Sequence, residues 1–196
     1  MRPPGRNGEG ERGVAGITAS EFVSIDGVFE GPEKWVFKYM NDEIGAFKLE
    51  EMREIDAMLL GRATYESFAE SWPSRTGELA DLMNGTPKHV AANPSRNLVW
   101  SNSHRLGASL GEEIENLKRR SSKGVLVVGS GKLVGALLRE GLIDELRLML
   151  FPIVLGSGRR LFEEGTSSRL KLAGTRSFAT GVVLLTYRPQ DQERRH

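Results

Sequence analysis

The sequence predicts one three-layer α/β domain, with helices on both faces of a mostly parallel sheet and antiparallel strands at its C-terminal end. Three observations predict it. Short apolar runs alternate with helix-like patterns from residue 17 to residue 140, as crossover connections between parallel strands require. After Asp144 the pattern changes to apolar runs separated by turn residues, which suits antiparallel strands. Two apolar runs also end in glycine and pass straight into a helical pattern: Asp56-Ala-Met-Leu-Leu-Gly61-Arg62-Ala-Thr64 and Val125-Leu-Val-Val-Gly129-Ser130-Gly131-Lys132-Leu133.

Residues 1–14 are glycine, proline and charge with Val14 as the single aliphatic residue of their last ten, too little to offset the entropy of ordering, so they are expected to form a disordered tail. Residues 17–25 carry the β-branched and small side chains of a strand and end at Asp26-Gly27, a turn pair. Ile44, Phe47, Met52 and Ile55 fall on one face of a helix over 42–54, capped by Asn41 or Asp42. The run 56–60 is a strand leading to a helix over 62–70. Further strands are expected over 88–92 and near 98–100, then a helix over 111–120, a strand over 125–128 and a helix over 131–140. Residues 146–155 read as one strand, and 170–178 and 182–187 as a hairpin across Ala179-Thr180-Gly181. The domain thus spans 15–187, with 188–196 expected to be a second disordered tail.

Composition excludes several function classes. The 196 residues are 39% hydrophobic and 27% charged, ordinary for a globular chain. Cysteine is absent, which removes disulfides, thiolate metal sites and thiol nucleophiles, and excludes a Cys-ligated zinc deaminase site. Net charge is +1, carried by the arginine-rich ends, so residues 15–187 are near neutral and no broad nucleic-acid surface is expected. No apolar stretch approaches the roughly 18 residues of a membrane span, and the start lacks an apolar secretory segment. A cytoplasmic protein without membrane contact is expected.

Where a strand stops and a helix begins, several backbone amides lack intrahelical partners and the helix dipole adds positive charge, so anions settle there. Two such cradles, each with a cation beside its glycine (Arg62, Lys132), suit a ligand with several phosphates, a phosphorylated dinucleotide first. At the first, either Gly61 admits a phosphate, Arg62 pairs with it and the Thr64 hydroxyl donates to it, or Gly61 only turns the chain while Thr64 caps the helix. A nucleotide-hydrolase P-loop is excluded at the second: Leu126 stands at its first glycine and Leu133 where Ser or Thr must follow the lysine. A Rossmann fingerprint fails because its third glycine is displaced to Gly135. No Gly-x-Ser-x-Gly elbow occurs, and His89, His104 and His196 show no metal-ligand spacing, so no metal is expected.

Four pieces in this order resemble the dihydrofolate reductase-like superfamily, and within it the reductase domain of the bifunctional riboflavin-biosynthesis deaminase/reductase. They are Ser24-Ile-Asp26-Gly27, Asp56-x3-Leu60-Gly61-Arg62-x-Thr64-Tyr65-Glu66, Val128-Gly129-Ser130-Gly131, and Gly141-Leu-Ile-Asp144-Glu145-Leu146 with Pro152-x2-Leu155-Gly156-x-Gly158-x2-Leu161-Phe162. The resemblance implies a dihydrofolate reductase-like fold and NADPH as cofactor, held by Gly61, Arg62, Thr64, Gly129, Ser130, Gly131, Lys132 and Leu133. It adds Asn93 and Ser95, with Arg96, around the adenosine 2′-phosphate, although Asn-Pro-Ser is also turn chemistry. Asp26 takes the place of the substrate-binding loop and is the catalytic and substrate-binding candidate, the alternative being a turn aspartate bonded to its own backbone. Glu30, Glu33, Asp42 and Glu43 are further carboxylates in this region. Trp35 and Tyr39 stack on a flat substrate or sit in the core, and Phe37 is expected in the core. Gly158 and Arg159, with Arg160, hold a substrate phosphate or the nicotinamide edge, or lie on a surface hairpin. The implied activity is reduction of a small heterocyclic substrate, most like 5-amino-6-(5-phosphoribosylamino)uracil, with no deaminase half. A pterin or other small-molecule reductase and a catalytically silent nucleotide-binding homodimer are the alternatives. A homodimer is implied, with 146–155 as contributor or as an internal strand.

Overall fold

The computed structural model describes residues 15–91, 97–107 and 109–190. Eight strands form one sheet: β1 (Gly16–Ser24), β2 (Ala57–Gly61), β3 (Lys88–Ala91), β4 (Ser103–Arg105), β5 (Gly124–Val128), β6 (Glu145–Phe151), β7 (Leu170–Ser177) and β8 (Val183–Pro189). Their spatial order is β4-β3-β2-β5-β1-β6-β8-β7. The first six are mutually parallel, and β8 is antiparallel to both of its neighbours, so β7 runs with the parallel set and β8 alone is reversed. Among the described residues no helix is long and apolar enough to cross a membrane.

Helices α1 (Asp42–Arg53), α2 (Arg62–Ser71) and α3 (Glu78–Gly85) cover one face, and α4 (Leu110–Arg120) and α5 (Gly131–Arg139) the other. The alternation of side chains on β2 shows why both faces are apolar. Ala57 and Leu59 join Ile114, Leu117, Val134 and Leu137 beneath α4 and α5, whereas Met58 and Leu60 join Met52, Tyr65 and Met83 beneath α1, α2 and α3. Helix α1 starts where expected, with Asn41 Oδ1 accepting the Ile44 amide at 3.0 Å.

Four boundaries differ from the sequence-based expectation. The apolar residues of 98–100 do not make a strand: Trp100 is a buried plug whose amide donates to Tyr65 Oη at 2.8 Å, and the fourth strand is the polar Ser103–Arg105 at the sheet edge. Helix α3 forms in a stretch for which no element is expected, although Leu79, Leu82 and Met83 have helical spacing. Strand β6 stops at Phe151 because Pro152 has no amide to donate. It lies between β1 and β8, so the apolar run is an internal strand. Strand β8 continues through Pro189, with Arg188 opposite Lys171, two residues past the boundary expected after 187.

Candidate functional site

Parallel strands deliver their C-terminal ends to one edge of the sheet, and here β2, β5, β1 and β6 are the four central neighbours. The connection after β1 runs to one side and the connection after β5 returns across it to the other. That reversal opens a crevice at the carboxyl ends of the strands, where ligands of open α/β sheets bind. Gly61, Gly129, Asp26 and Gly156 all lie on this edge.

Because β2 and β5 pair directly, the two glycine cradles touch and form one site. Ser130 Oγ accepts the Gly61 amide at 2.8 Å and lies 3.1 Å from Thr64 Oγ1 and 2.9 Å from the Val128 carbonyl. The Thr64 hydroxyl donates to the Gly129 carbonyl at 2.5 Å. Thr64 is therefore buried and neither caps α2 nor points a free hydroxyl at a ligand; its role is to lock the two loops together. Gly129 has φ +62°, which favours glycine, and a Cβ there would press on Thr64 Cγ2 at 3.1 Å.

The amides of the second loop are also shared out differently from the sequence-based expectation. Gly129 and Ser130 donate theirs inward to the carboxylate of Glu21, at 2.9 and 3.4 Å. Val134 is the first residue of α5 to bond back, to the Ser130 carbonyl at 2.9 Å, which leaves the Gly131, Lys132 and Leu133 amides as the donors without intrahelical acceptors. Leu133 offers only its backbone, its side chain being in the core. A Cβ on Gly131 would meet Phe29 Cζ at 2.6 Å, so the Phe29 ring lies against the start of α5. Arg62 and Lys132 are exposed in the first turns of α2 and α5, where a cation opposes the helix dipole, and neither has an ion pair among the described residues. A groove of about 270 Å³ runs beside Arg62, Tyr65 and Glu66 toward Leu98 and Val99.

Glu21 is a buried acid beneath the second loop that the sequence motifs do not single out. It occupies the middle of β1, in the alternating set Ile17, Ala19, Glu21, Val23 that faces α5, and is 2% exposed. A charged residue in an otherwise apolar register is the signal that marks it. Burial pushes its carboxyl up to about 8, against the lowering pull of the Ser130 and Gly129 amides and Lys48. On the opposite face of β1, Lys48 pairs with Glu51 and bonds Ser20 Oγ at 3.2 Å, while Arg147 holds Glu51 at 3.1 Å. Those two cations keep Glu51 below the usual carboxylate range despite its burial.

Asp26 is a strut between the loops after β1 and β6. Its carboxylate accepts Ser24 Oγ at 2.7 Å, the Leu155 amide at 3.1 Å and the Gly156 amide at 2.8 Å, and these bonds, the Ser24 hydroxyl first, lower it to about 2. These donors favour its ionised form, in which it braces the two loops. Beside it, 26–30 and 158–161 run antiparallel, joined by Phe29 N to Arg159 O at 3.1 Å and Leu161 N to Gly27 O at 3.0 Å. Gly158 sits at φ +116°, and a Cβ would strike Val28 Cγ1 at 2.7 Å. The Arg159 amide and guanidinium are both engaged by Glu30, at 3.1 and 2.7 Å, rather than offered to a phosphate.

Of the three aromatic residues, Trp35 and Tyr39 take the core alternative and Phe37 departs from its expected place. Trp35 is buried edge-on against Phe151 at 5.4 Å and donates Nε1 to the Glu30 carbonyl, so it is core. Phe37, expected inside, is 68% exposed. Tyr39 packs on Phe151 and bonds the Pro152 carbonyl. Glu43 holds the Ala179 amide and Arg176. Asn93, Ser95 and Arg96 lie outside the described residues.

The chain is 29% identical over 172 residues to YyaP of Bacillus subtilis (strain 168), an uncharacterized protein, covering 84% of this chain and 90% of that one. A crystal structure from Shewanella sp. PV-4, provisionally named as a riboflavin biosynthesis protein, superposes with a TM-score of 0.70 at 23% identity, covering 90% of this chain and 99% of the other. Dihydrofolate reductase from Enterococcus faecalis, in complex with NADP(H), superposes with a TM-score of 0.60 at 19% identity over 90% and 97% of the two chains. These superpositions establish the dihydrofolate reductase-like fold. The model of one family, the RibD C-terminal domain, matches residues 15–184, from the start of β1 into β8, and this chain belongs to that family.

Proposed function

We propose that this protein is an NADPH-dependent reductase of a small heterocyclic substrate, most like 5-amino-6-(5-phosphoribosylamino)uracil. Family membership supports the reductase class. The observation that carries the coenzyme is the juxtaposition made by the Gly61 to Ser130 bond: two helix N-termini side by side, each with an exposed cation at its positive end that has no ion pair among the described residues. An arrangement of that kind is stabilised by bound phosphates. The Gly131, Lys132 and Leu133 amides with the Lys132 ammonium fit a pyrophosphate. Arg62, whose planar guanidinium suits a phosphate monoester, fits the 2′-phosphate and would favour NADPH over NADH. NADPH supplies the hydride, and the loops after β1 and β6, braced by Asp26 and by Glu30 with Arg159, shape the substrate side.

A catalytically silent nucleotide-binding protein is the second reading, favoured by one observation: Asp26, Glu30 and Arg159 bond one another's loops instead of pointing free at a substrate. Titrating the purified protein with NADPH, followed by fluorescence and melting temperature, tests the coenzyme. Oxidation of NADPH on adding the uracil or a dihydropterin separates the two readings: turnover favours the reductase, binding without turnover the silent protein, and no binding removes both. A cytoplasmic homodimer belongs to the same proposal, and light scattering tests the assembly.

A further inference from the structure

We propose that Glu21 is a positioning residue whose carboxyl must carry a proton for the Gly129–Gly131 loop to accept the coenzyme's phosphates, so that coenzyme binding takes up a proton wherever this side chain is ionised in the free protein. The inference rests on the coenzyme reading above and concerns a residue with no place in the phosphate cradle as read from sequence.

The geometry leaves little else for this side chain to do. A carboxyl in the centre of an interior strand gives up hydration and needs compensation. The nearest cation, Lys48, belongs to α1 on the other face of the sheet and is engaged by Glu51 and Ser20, and Arg147 is held by Glu51 and Glu145. What faces Glu21 is the loop itself, whose Gly129 and Ser130 amides end on its two oxygens. The next three amides of the same chain, Gly131 to Leu133, are those without intrahelical acceptors, and the coenzyme reading assigns them to a phosphate. Loop shape and phosphate position are therefore set from beneath by one carboxyl.

Charge then decides the sign. A neutral carboxyl keeps the shorter bond from the Gly129 amide through its carbonyl oxygen, gives up the 3.4 Å contact from Ser130 to its hydroxyl, and puts no charge beneath the phosphates. An ionised one holds both amides but places a negative charge beneath the phosphates in a buried, weakly screened setting, and the two repel. Lys132 at the mouth offsets part of this, while Glu51 through the sheet adds to it. Binding an anion thus raises the proton affinity of Glu21 above the level of about 8 that burial gives it in the free protein.

Binding of NADPH, and of sulfate as a probe whose charge is constant, measured from pH 6 to 9.5 on the wild type and on Glu21→Gln, tests this. The wild type is expected to bind evenly at low pH and to lose up to about tenfold in affinity per pH unit above pH 8. Glu21→Gln, permanently neutral and still an acceptor, is expected to bind at every pH as the wild type does at low pH. Identical pH profiles for the two proteins overturn the proposal. If sulfate shows the Glu21-dependent profile while NADPH does not bind, Glu21 keeps its role and the coenzyme reading falls. Should Glu21→Gln fold poorly, the isotope-edited infrared spectrum of the wild type tests the same protonation directly: a protonated carboxyl band that disappears near pH 8 and persists to higher pH with NADPH supports the proposal, and an unchanged band overturns it.

Discussion

Ser130 Oγ accepts the Gly61 amide across 2.8 Å, and this one bond joins the start of α2 to the start of α5. Gly61 lies tight against it, since a Cβ there would meet Ser130 Oγ at 3.2 Å. Replacing Ser130 with alanine leaves the Gly61 amide without its acceptor, at a cost of about 1–3 kcal/mol. Urea unfolding of Ser130→Ala is expected to show that loss together with weaker NADPH binding, because the two helix ends are no longer held in register. Lost stability with unchanged affinity would show that the bond serves the fold alone.

Asp26→Asn separates a strut from an acid. Its pKa falls from 3.8 to about 2 on folding, so the ionised form is the one the fold favours. The stability it contributes is present above pH 3.8 and is lost as pH falls from there toward 2. The variant is expected to be less stable at pH 7, to lose the acid-side slope between those values, and to turn over substrate with a raised KM as the Leu155–Gly156 loop loosens. A kcat reduced to background with KM intact would restore Asp26 as a catalytic residue.

The order of elements was legible because strand and helix periods are local properties: Leu59 and Leu60 face opposite sides whatever surrounds them. The glycine cradles were legible for the same reason, since Gly61 and Gly129 each end an apolar run. What a linear reading missed is contact between distant segments. Thr64 and Ser130 are separated by 66 residues, and only the pairing of β2 with β5 reveals that their hydroxyls meet and are withdrawn from a ligand. Trp35 and Phe37 show the same limit, because two aromatics two residues apart in short 3-10 turns carry no period to say which faces inward. Glu21 is an acid in an apolar register, a signal that no motif uses, and it has no partner until the fold supplies Gly129.

Arg62 and Lys132 oppose the dipoles of the helices they begin. Arg62→Ala and Lys132→Ala are therefore each expected to raise the stability of the ligand-free protein slightly, by about 0.3–1 kcal/mol, while weakening NADPH binding. Affinities for NADPH and NADH distinguish the two residues: Arg62→Ala should lose NADPH more than NADH, and Lys132→Ala both alike. A fall in ligand-free stability for either would mean that its cation has a stabilising partner in the fold.

Trp35 is assigned to the core by its contact with Phe151 and its bond to the Glu30 carbonyl. Trp35→Ala should lose about 3–5 kcal/mol of stability. The exposed Phe37 should tolerate alanine within about 0.5 kcal/mol. A KM effect confined to Phe37→Ala would place the substrate's flat ring against Phe37 instead.

The buried acid also leaves a mark on stability that needs no ligand. Folding raises Glu21 from 4.5 to about 8, so between those values the native protein holds a proton that the unfolded chain releases. Stability from this group is complete below pH 4.5, declines as pH rises, and is gone above about 8. In Glu21→Gln the side chain is neutral in both states and contributes no slope. Denaturation free energies at pH 5, 7 and 9 should therefore converge on, and then favour, the variant as pH rises, by a few kcal/mol across the window. Parallel curves for the two proteins would show that Glu21 is ionised in the native state throughout, with the Gly129 and Ser130 amides alone sustaining its charge.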